Sequence, residues 1–117
     1  MSRDHRKLDA FALADQLTIR IYLATTDFPS AETYGLRAQI RRAAVSVPTN
    51  IVEGCARESR RDYARFLDIA FGSARELNYL IDLAARLGMV ERKIADELGN
   101  LGGRVAAALA ALKRVNA

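Results

Sequence analysis

Apolar residues recur along the chain at steps of three and four, the spacing that lines one face of a helix. The first such segment runs from about Asp9 to Thr26, with Phe11, Ala14, Leu17, Ile21 and Ala24 on its buried face and Leu13 and Tyr22 widening it. Asp27-Phe28-Pro29-Ser30 ends it, because a residue before proline avoids the helical region. Ser30 or Thr33 is the expected cap of the next helix, with Glu32 at the positive end of its dipole. That second helix is expected over about 34–56, with Leu36, Ile40, Ala43, Val47, Ile51 and Cys55 in one stripe. Pro48 falls inside this stripe, where it removes a backbone donor and crowds the carbonyl of Ala44. The apolar spacing stays in phase across it, which favours one helix kinked at Pro48. The alternative is two short helices meeting there.

Glu58-Ser59-Arg60 forms a brief joint in which Ser59, with Asp62 three residues later, resembles a capping box. A third helix is predicted over about 60–87, its broad apolar face made by Tyr63, Phe66, Leu67, Ala70, Leu77, Leu80, Ile81 and Ala84. Gly88 is the expected C-cap. The fourth, over about 91–114, contributes Ile94, Leu98, Leu101, Val105, Ala108 and Leu112. Gly99, Gly102 and Gly103 weaken its middle by up to ~1 kcal/mol each, and either admit a neighbouring helix closely or let the segment fray. No alternating strand pattern of useful length occurs. Short joints force consecutive helices to run antiparallel, so the pattern predicts an all-α, up-down-up-down antiparallel four-helix bundle spanning residues 1–117 as a single domain.

Composition narrows the chemistry. Half of the 117 residues are apolar and 27% are charged, an ordinary globular balance. No run of apolar residues is long enough to cross a membrane, and the charged start, Met1 to Lys7, does not read as a signal peptide. The single cysteine, Cys55, offers no internal disulfide and falls on an apolar stripe as a small core residue, so a reducing cytoplasm is the expected compartment. His5 is the only histidine and lies in the charged terminus, which argues against histidine-based acid–base catalysis or metal ligation. Neither a phosphate-binding glycine loop nor the Glu-x-x-His motif of bundle metal sites is present. The expectation is a protein without catalytic residues, metal or cofactor, and not an enzyme.

Charge is unevenly spread. The chain carries a net +4. Residues 37–65 hold seven arginines (Arg37, Arg41, Arg42, Arg57, Arg60, Arg61 and Arg65) against Glu53, Glu58 and Asp62, so this segment alone matches the charge of the whole. Arginine is the side chain best shaped for bidentate phosphate contacts. Arg57, Arg60, Arg61 and Arg65 cluster at the second joint, and Arg37 and Arg41 share a face one turn apart. These six are the candidate nucleic-acid contacts. The other reading is that they solvate helix ends or pair with neighbouring acids.

A second pattern lies on the second helix, where Gln39, Arg42, Ser46, Asn50, Glu53 and Arg57 form a polar row beside the apolar stripe. Such a row is either a solvated surface or a polar seam against the third helix. Antiparallel register places Arg42 level with Glu76 and Ser46 near Ser73, so the seam reading predicts a desolvated Arg42–Glu76 pair within a network of Arg42, Ser46, Asn50, Glu53, Ser73 and Glu76.

The run from Gly35 to Gly54, GLRAQIRRAAVSVPTNIVEG, resembles the core signature of the bacterial four-helix-bundle proteins encoded in intervening sequences of large-subunit (23S) ribosomal RNA genes. Phe28-Pro29 with Glu32 and Tyr34 resembles that family's first joint, and the run from Phe66 to Leu77, FLDIAFGSAREL, its third-helix signature. The likeness covers roughly residues 8–114 and rests on the coincidence of a mid-helix proline, Asn-Ile-x-Glu-Gly and Gly-Ser-x-x-Glu. The accessory variability protein of diversity-generating retroelements is similar to this family in fold. The resemblance implies an up-down bundle assembled as a homopentamer, often barrel-like, in a setting near RNA. The retroelement relative binds nucleic acid and its reverse transcriptase through basic surface. Two functions follow as expectations: a non-enzymatic nucleic-acid-associated bundle, RNA-binding foremost, acting as a homo-oligomeric ring; or an interaction protein that docks a partner such as a reverse transcriptase without itself binding nucleic acid.

Overall fold

The computed structural model describes residues 3–116 and contains α1 (Asp9–Ala24), α2 (Leu36–Cys55), α3 (Arg60–Arg86) and α4 (Arg92–Val115), with short 3-10 turns at His5–Lys7 and Ser30–Glu32. Each helix lies within about two residues of its predicted range. Pairing across the joints proves the antiparallel order. Thr18 meets Ala44 between α1 and α2, Ser46 meets Ser73 between α2 and α3, and Lys113 meets Asp68 between α3 and α4. Second contacts, Tyr22 with Arg41, Gly54 with Phe66 and Asp82 with Arg92, show residue numbers rising on one helix as they fall on the other. The result is an up-down-up-down four-helix bundle measuring 45 × 24 × 19 Å.

The core follows the apolar stripes. Ala14, Leu17 and Ile21 of α1, Ile40, Val47 and Ile51 of α2, Leu67 and Leu77 of α3, and Val105 and Leu109 of α4 are buried together. Two positions depart from expectation. Tyr22 lies outside the buried face, and Ile94 is exposed while its neighbour Ala95 is buried. Cys55 is only 1% exposed, as a core residue should be.

Local chemistry sets the ends. Neither Ser30 nor Thr33 caps α2. Gly35 occupies the cap position with no side chain to offer, and the Glu32 carboxylate reaches instead to accept from the Leu36 N–H at 2.8 Å. Ser59 does cap α3, its hydroxyl accepting from the Asp62 N–H at 3.0 Å. Gly88, at φ 77°, closes α3 in a Schellman turn, with the Met89 N–H donating to Ala84 and the Gly88 N–H to Ala85.

Helix α2 runs unbroken through Pro48, so the two-helix alternative falls away. Helix α4 is likewise continuous through its glycines. Of these, only Gly102 is a point of close approach, where an added Cβ would overlap the Asn78 amide of α3; Gly99 and Gly103 face open space.

Candidate nucleic-acid interface

The joint between α2 and α3 carries Arg57, Arg60, Arg61 and Arg65, all exposed. Ser59 caps α3 four residues after α2 ends at Cys55, so Arg57 in the joint and Arg60, Arg61 and Arg65 in the first two turns of α3 lie at one end of the bundle. Arg57 donates to the Glu53 carboxylate at 3.3 Å and lies 4.9 Å from the centre of the Phe66 ring. Arg65 approaches the same ring at 4.7 Å. Two guanidinium groups thus lie against one aromatic ring. Arg60 and Arg61 make no ion pair among the described residues.

The N-terminal segment joins this end, which the periodicity of the sequence did not signal. The Arg3 backbone N–H donates to the Cys55 carbonyl at 3.1 Å, and its Nη1 donates to the Arg57 carbonyl at 3.1 Å. Its guanidinium also lies 3.9 Å from the centre of the Tyr63 ring. Arg3 therefore supplies donors to carbonyls at the C-terminal end of α2 that the helix leaves without partners. Asp4 caps the turn that follows, accepting from the Arg6 N–H at 3.0 Å, and its carboxyl is held below the usual range by hydrogen bonds from Arg6. His5 packs edge-on against Phe11 with ring centres 4.7 Å apart. Beneath this strap, burial pushes the Cys55 thiol and the Tyr63 phenol above their ordinary pKa values, so neither is poised as a nucleophile.

Arg37 and Arg41 do not belong to the same patch. They lie near the N-terminal end of α2, with Arg41 sixteen residues from Arg57, about 24 Å along a helix. Arg37 donates to the Thr33 hydroxyl at 3.3 Å. Arg41 is half-buried and committed to the fold. Its Nε donates to the Thr25 hydroxyl at 2.9 Å, its Nη2 to the Tyr22 carbonyl at 3.1 Å, and its plane lies 4.4 Å from the Tyr22 ring centre. The cause is again a helix end, since the last carbonyls of α1 lack helical donors and Arg41 is level with them across the antiparallel joint.

The polar row on α2 is partly a seam and partly open. Ser46 and Ser73 hydroxyls bond at 2.8 Å across the helices. Asn50 Nδ2 donates to the Ser46 carbonyl at 2.8 Å and to its hydroxyl at 3.0 Å. The predicted Arg42–Glu76 pair does not form. Both side chains are exposed and line an open groove of about 810 Å³ between α2 and α3, whose inner wall includes Ser46 and Ser73. In water an exposed pair gains too little to hold two long side chains together. Glu53 turns away from the network to Arg57.

Among the described residues no group of three or more His, Cys, Asp or Glu side chains is placed to hold a metal ion, and no helix is long and apolar enough to cross a membrane.

The family described as 23S rRNA-intervening sequence protein matches the chain over residues 6–111. No curated protein sequence matches it significantly. Among solved structures, the chain is similar to a protein of unknown function from the S23 ribosomal protein family of Bacteroides thetaiotaomicron, with a TM-score of 0.82 and 23% identity, over 90% of this chain and 95% of that one. At that identity the likeness speaks for the fold.

Proposed function

The chain belongs to the 23S rRNA-intervening sequence protein family, and from that premise we propose that it is a non-catalytic cytoplasmic protein that binds nucleic acid, RNA foremost, as a homo-oligomeric ring. The observation that carries this reading is the arginine cluster of Arg57, Arg60, Arg61 and Arg65 at one end of the bundle, where Arg60 and Arg61 have no acidic partner among the described residues. Guanidinium groups fixed on helix ends suit the phosphate backbone. Phe66 is already covered by Arg57 and Arg65, so it is no open platform for a base, and recognition by backbone and shape follows. Repetition of the patch around a ring would multiply weak contacts.

A second reading, docking of a protein partner such as a reverse transcriptase, is favoured by the opposite end of the bundle. There Leu23, Tyr34 and Leu87 are exposed at 72%, 95% and 58%. The two readings separate in salt. Binding of a structured RNA and of a duplex DNA across a salt series should weaken steeply as ionic strength rises, and Arg60→Ala with Arg61→Ala should flatten the slope by roughly one or two phosphates. Absence of binding at low salt would set the nucleic-acid reading aside in favour of the apolar end.

A further inference from the structure

The groove between α2 and α3 leads to the basic end of the bundle. Arg42, Ser46, Asn50, Glu53 and Arg57 succeed one another at steps of three and four, so one face of α2 runs from the groove to the arginine cluster. Asn50, which lines the groove, stands seven residues from Arg57, about 10 Å along the helix. Glu53, on the way, is already paired with Arg57. On α3 the way is open at Gly72, which has nothing within 4 Å of where a Cβ would stand. A polymer that leaves the cluster along this face enters a cavity of about 810 Å³.

The lining selects the occupant. The groove is open along its side, whereas a small ligand is held by having most of its surface enclosed. Tyr22, the aromatic residue of the lining, already carries Arg41 on its ring, so it offers neither an anchor for a protein partner nor a platform for a base. Hydrogen-bonding groups remain. Asn50 uses Nδ2 for both of its hydrogen bonds, which leaves Oδ1 free to accept beside the Ser46 and Ser73 hydroxyls. Charge here is mixed, with Arg41 and Arg42 against Glu76. The Nε and Nη2 of Arg41 are committed to Thr25 and Tyr22, so Arg42 is the guanidinium placed to take a phosphate. Glu76 has no ion-pair partner among the described residues. Its carboxylate repels phosphate and accepts from hydroxyls, and a ribose 2′-hydroxyl is a donor that deoxyribose lacks.

We propose that the α2–α3 groove holds a single ribonucleotide strand continuing from the basic end, with Arg42 on a backbone phosphate and Glu76 accepting from a 2′-hydroxyl. The groove, and not the arginine cluster, then distinguishes RNA from DNA. This rests on the nucleic-acid reading above and adds what the cluster does not supply, because phosphates are common to both polymers.

The test compares single-stranded RNA, DNA and 2′-O-methyl RNA of one sequence by fluorescence anisotropy across a salt series. Wild-type protein should bind RNA roughly tenfold more tightly than either of the others, the scale of one hydrogen bond to a charged acceptor. Glu76→Ala should abolish that preference, weakening RNA as the acceptor is lost and tightening DNA as the repulsion is lost. Arg42→Ala should weaken all three and lower the salt slope by roughly one phosphate. Both side chains are exposed, so circular dichroism and melting temperature should match those of the wild type. An RNA preference that persists in Glu76→Ala, or an affinity and slope unmoved by Arg42→Ala, would overturn the groove as an RNA site while leaving binding at Arg60 and Arg61 intact. Equal binding of RNA and DNA by the wild type would do the same. A wild-type protein that binds none of the three at low salt would overturn both readings.

Discussion

The hydroxyl of Thr18 on α1 lies 3.1 Å from the carbonyl oxygen of Ala44 on α2, the acceptor that Pro48 deprives of its helical donor. Its other contact, 2.8 Å to the Ala14 carbonyl in its own helix, shares the same proton. A side chain on a neighbouring helix thus compensates a defect that α2 carries in its middle, where helix α2 nevertheless stays whole. Thr18→Val should destabilise the bundle by about 1–2 kcal/mol, through loss of that donor at near-constant volume. In a Pro48→Ala background the Ala44 carbonyl regains a helical partner, so the same change should cost less. A double-mutant cycle by chemical denaturation that gives additive effects would show that Thr18 and Pro48 are not coupled.

Gly54 of α2 should respond in the opposite direction to Gly99 and Gly103 of α4. A Cβ at Gly54 would lie 3.0 Å from Phe66 Cβ and 3.2 Å from Tyr63 Cδ1, so Gly54→Ala makes those side chains of α3 give way. A loss of about 1–3 kcal/mol is expected from such overpacking. Gly99 and Gly103 have open space at the same position, and there alanine should add roughly 0.5–1 kcal/mol each through helix propensity. Thermal melts of the three single variants check the sign of each.

How much of this was legible in the sequence depends on the range over which each effect acts. The helices, the Gly88 stop and the burial of Ile40, Val47, Leu67 and Val105 follow from spacing along the chain, which reports a face directly. The Ser46–Ser73 bond was also legible, because short joints fix antiparallel register. Arg3 was not. Its role depends on where the end of α2 stands relative to the N-terminal strap, and no periodic signal records that. Arg41 was misplaced for a related reason. A guanidinium half-buried against Tyr22 and Thr25 looks identical, in sequence, to one that faces solvent. The Arg42–Glu76 pair failed on energy and not on register, since the two residues do line one groove, but water competes successfully for both charges.

Acid should loosen the third joint. Asp82 accepts a hydrogen bond from Arg92 at 2.9 Å and forms an ion pair with Arg86 at 3.0 Å, linking the end of α3 to the start of α4. The hydrogen bond from Arg92, then the nearby positive charges, hold the Asp82 carboxyl below its ordinary value. A carboxylate depressed in the folded state contributes stability above its unfolded pKa and loses that contribution as pH falls through the folded one. The contribution should therefore be full above about pH 5 and fade below about pH 4. Asp82→Asn should lower the melting temperature slightly at neutral pH and leave it unchanged in strong acid. A difference between the two proteins that persists at pH 2 would mean that Asp82 acts through packing and not through its charge.

Arg41 and the pair Arg60 and Arg61 should separate folding from binding. Arg41 closes the end of α1 with two hydrogen bonds and covers Tyr22, so Arg41→Ala leaves the Tyr22 carbonyl and the Thr25 hydroxyl without that donor and uncovers an aromatic face. The expected cost is about 1–2 kcal/mol of stability. Its plane is already occupied, so the salt dependence of RNA binding by the folded variant should match that of the wild type. Arg60 and Arg61 project from the first turn of α3 without acidic partners among the described residues, and their positive charge there opposes the helix dipole. Arg60→Ala and Arg61→Ala should leave the melting temperature unchanged or slightly raised, while RNA affinity falls and its dependence on salt becomes shallower. Melting curves and salt titrations on the same three variants decide the matter. Loss of binding in Arg41→Ala at full stability would place the nucleic acid along α1 and α2, and a destabilised Arg60→Ala with intact binding would make that arginine part of the fold.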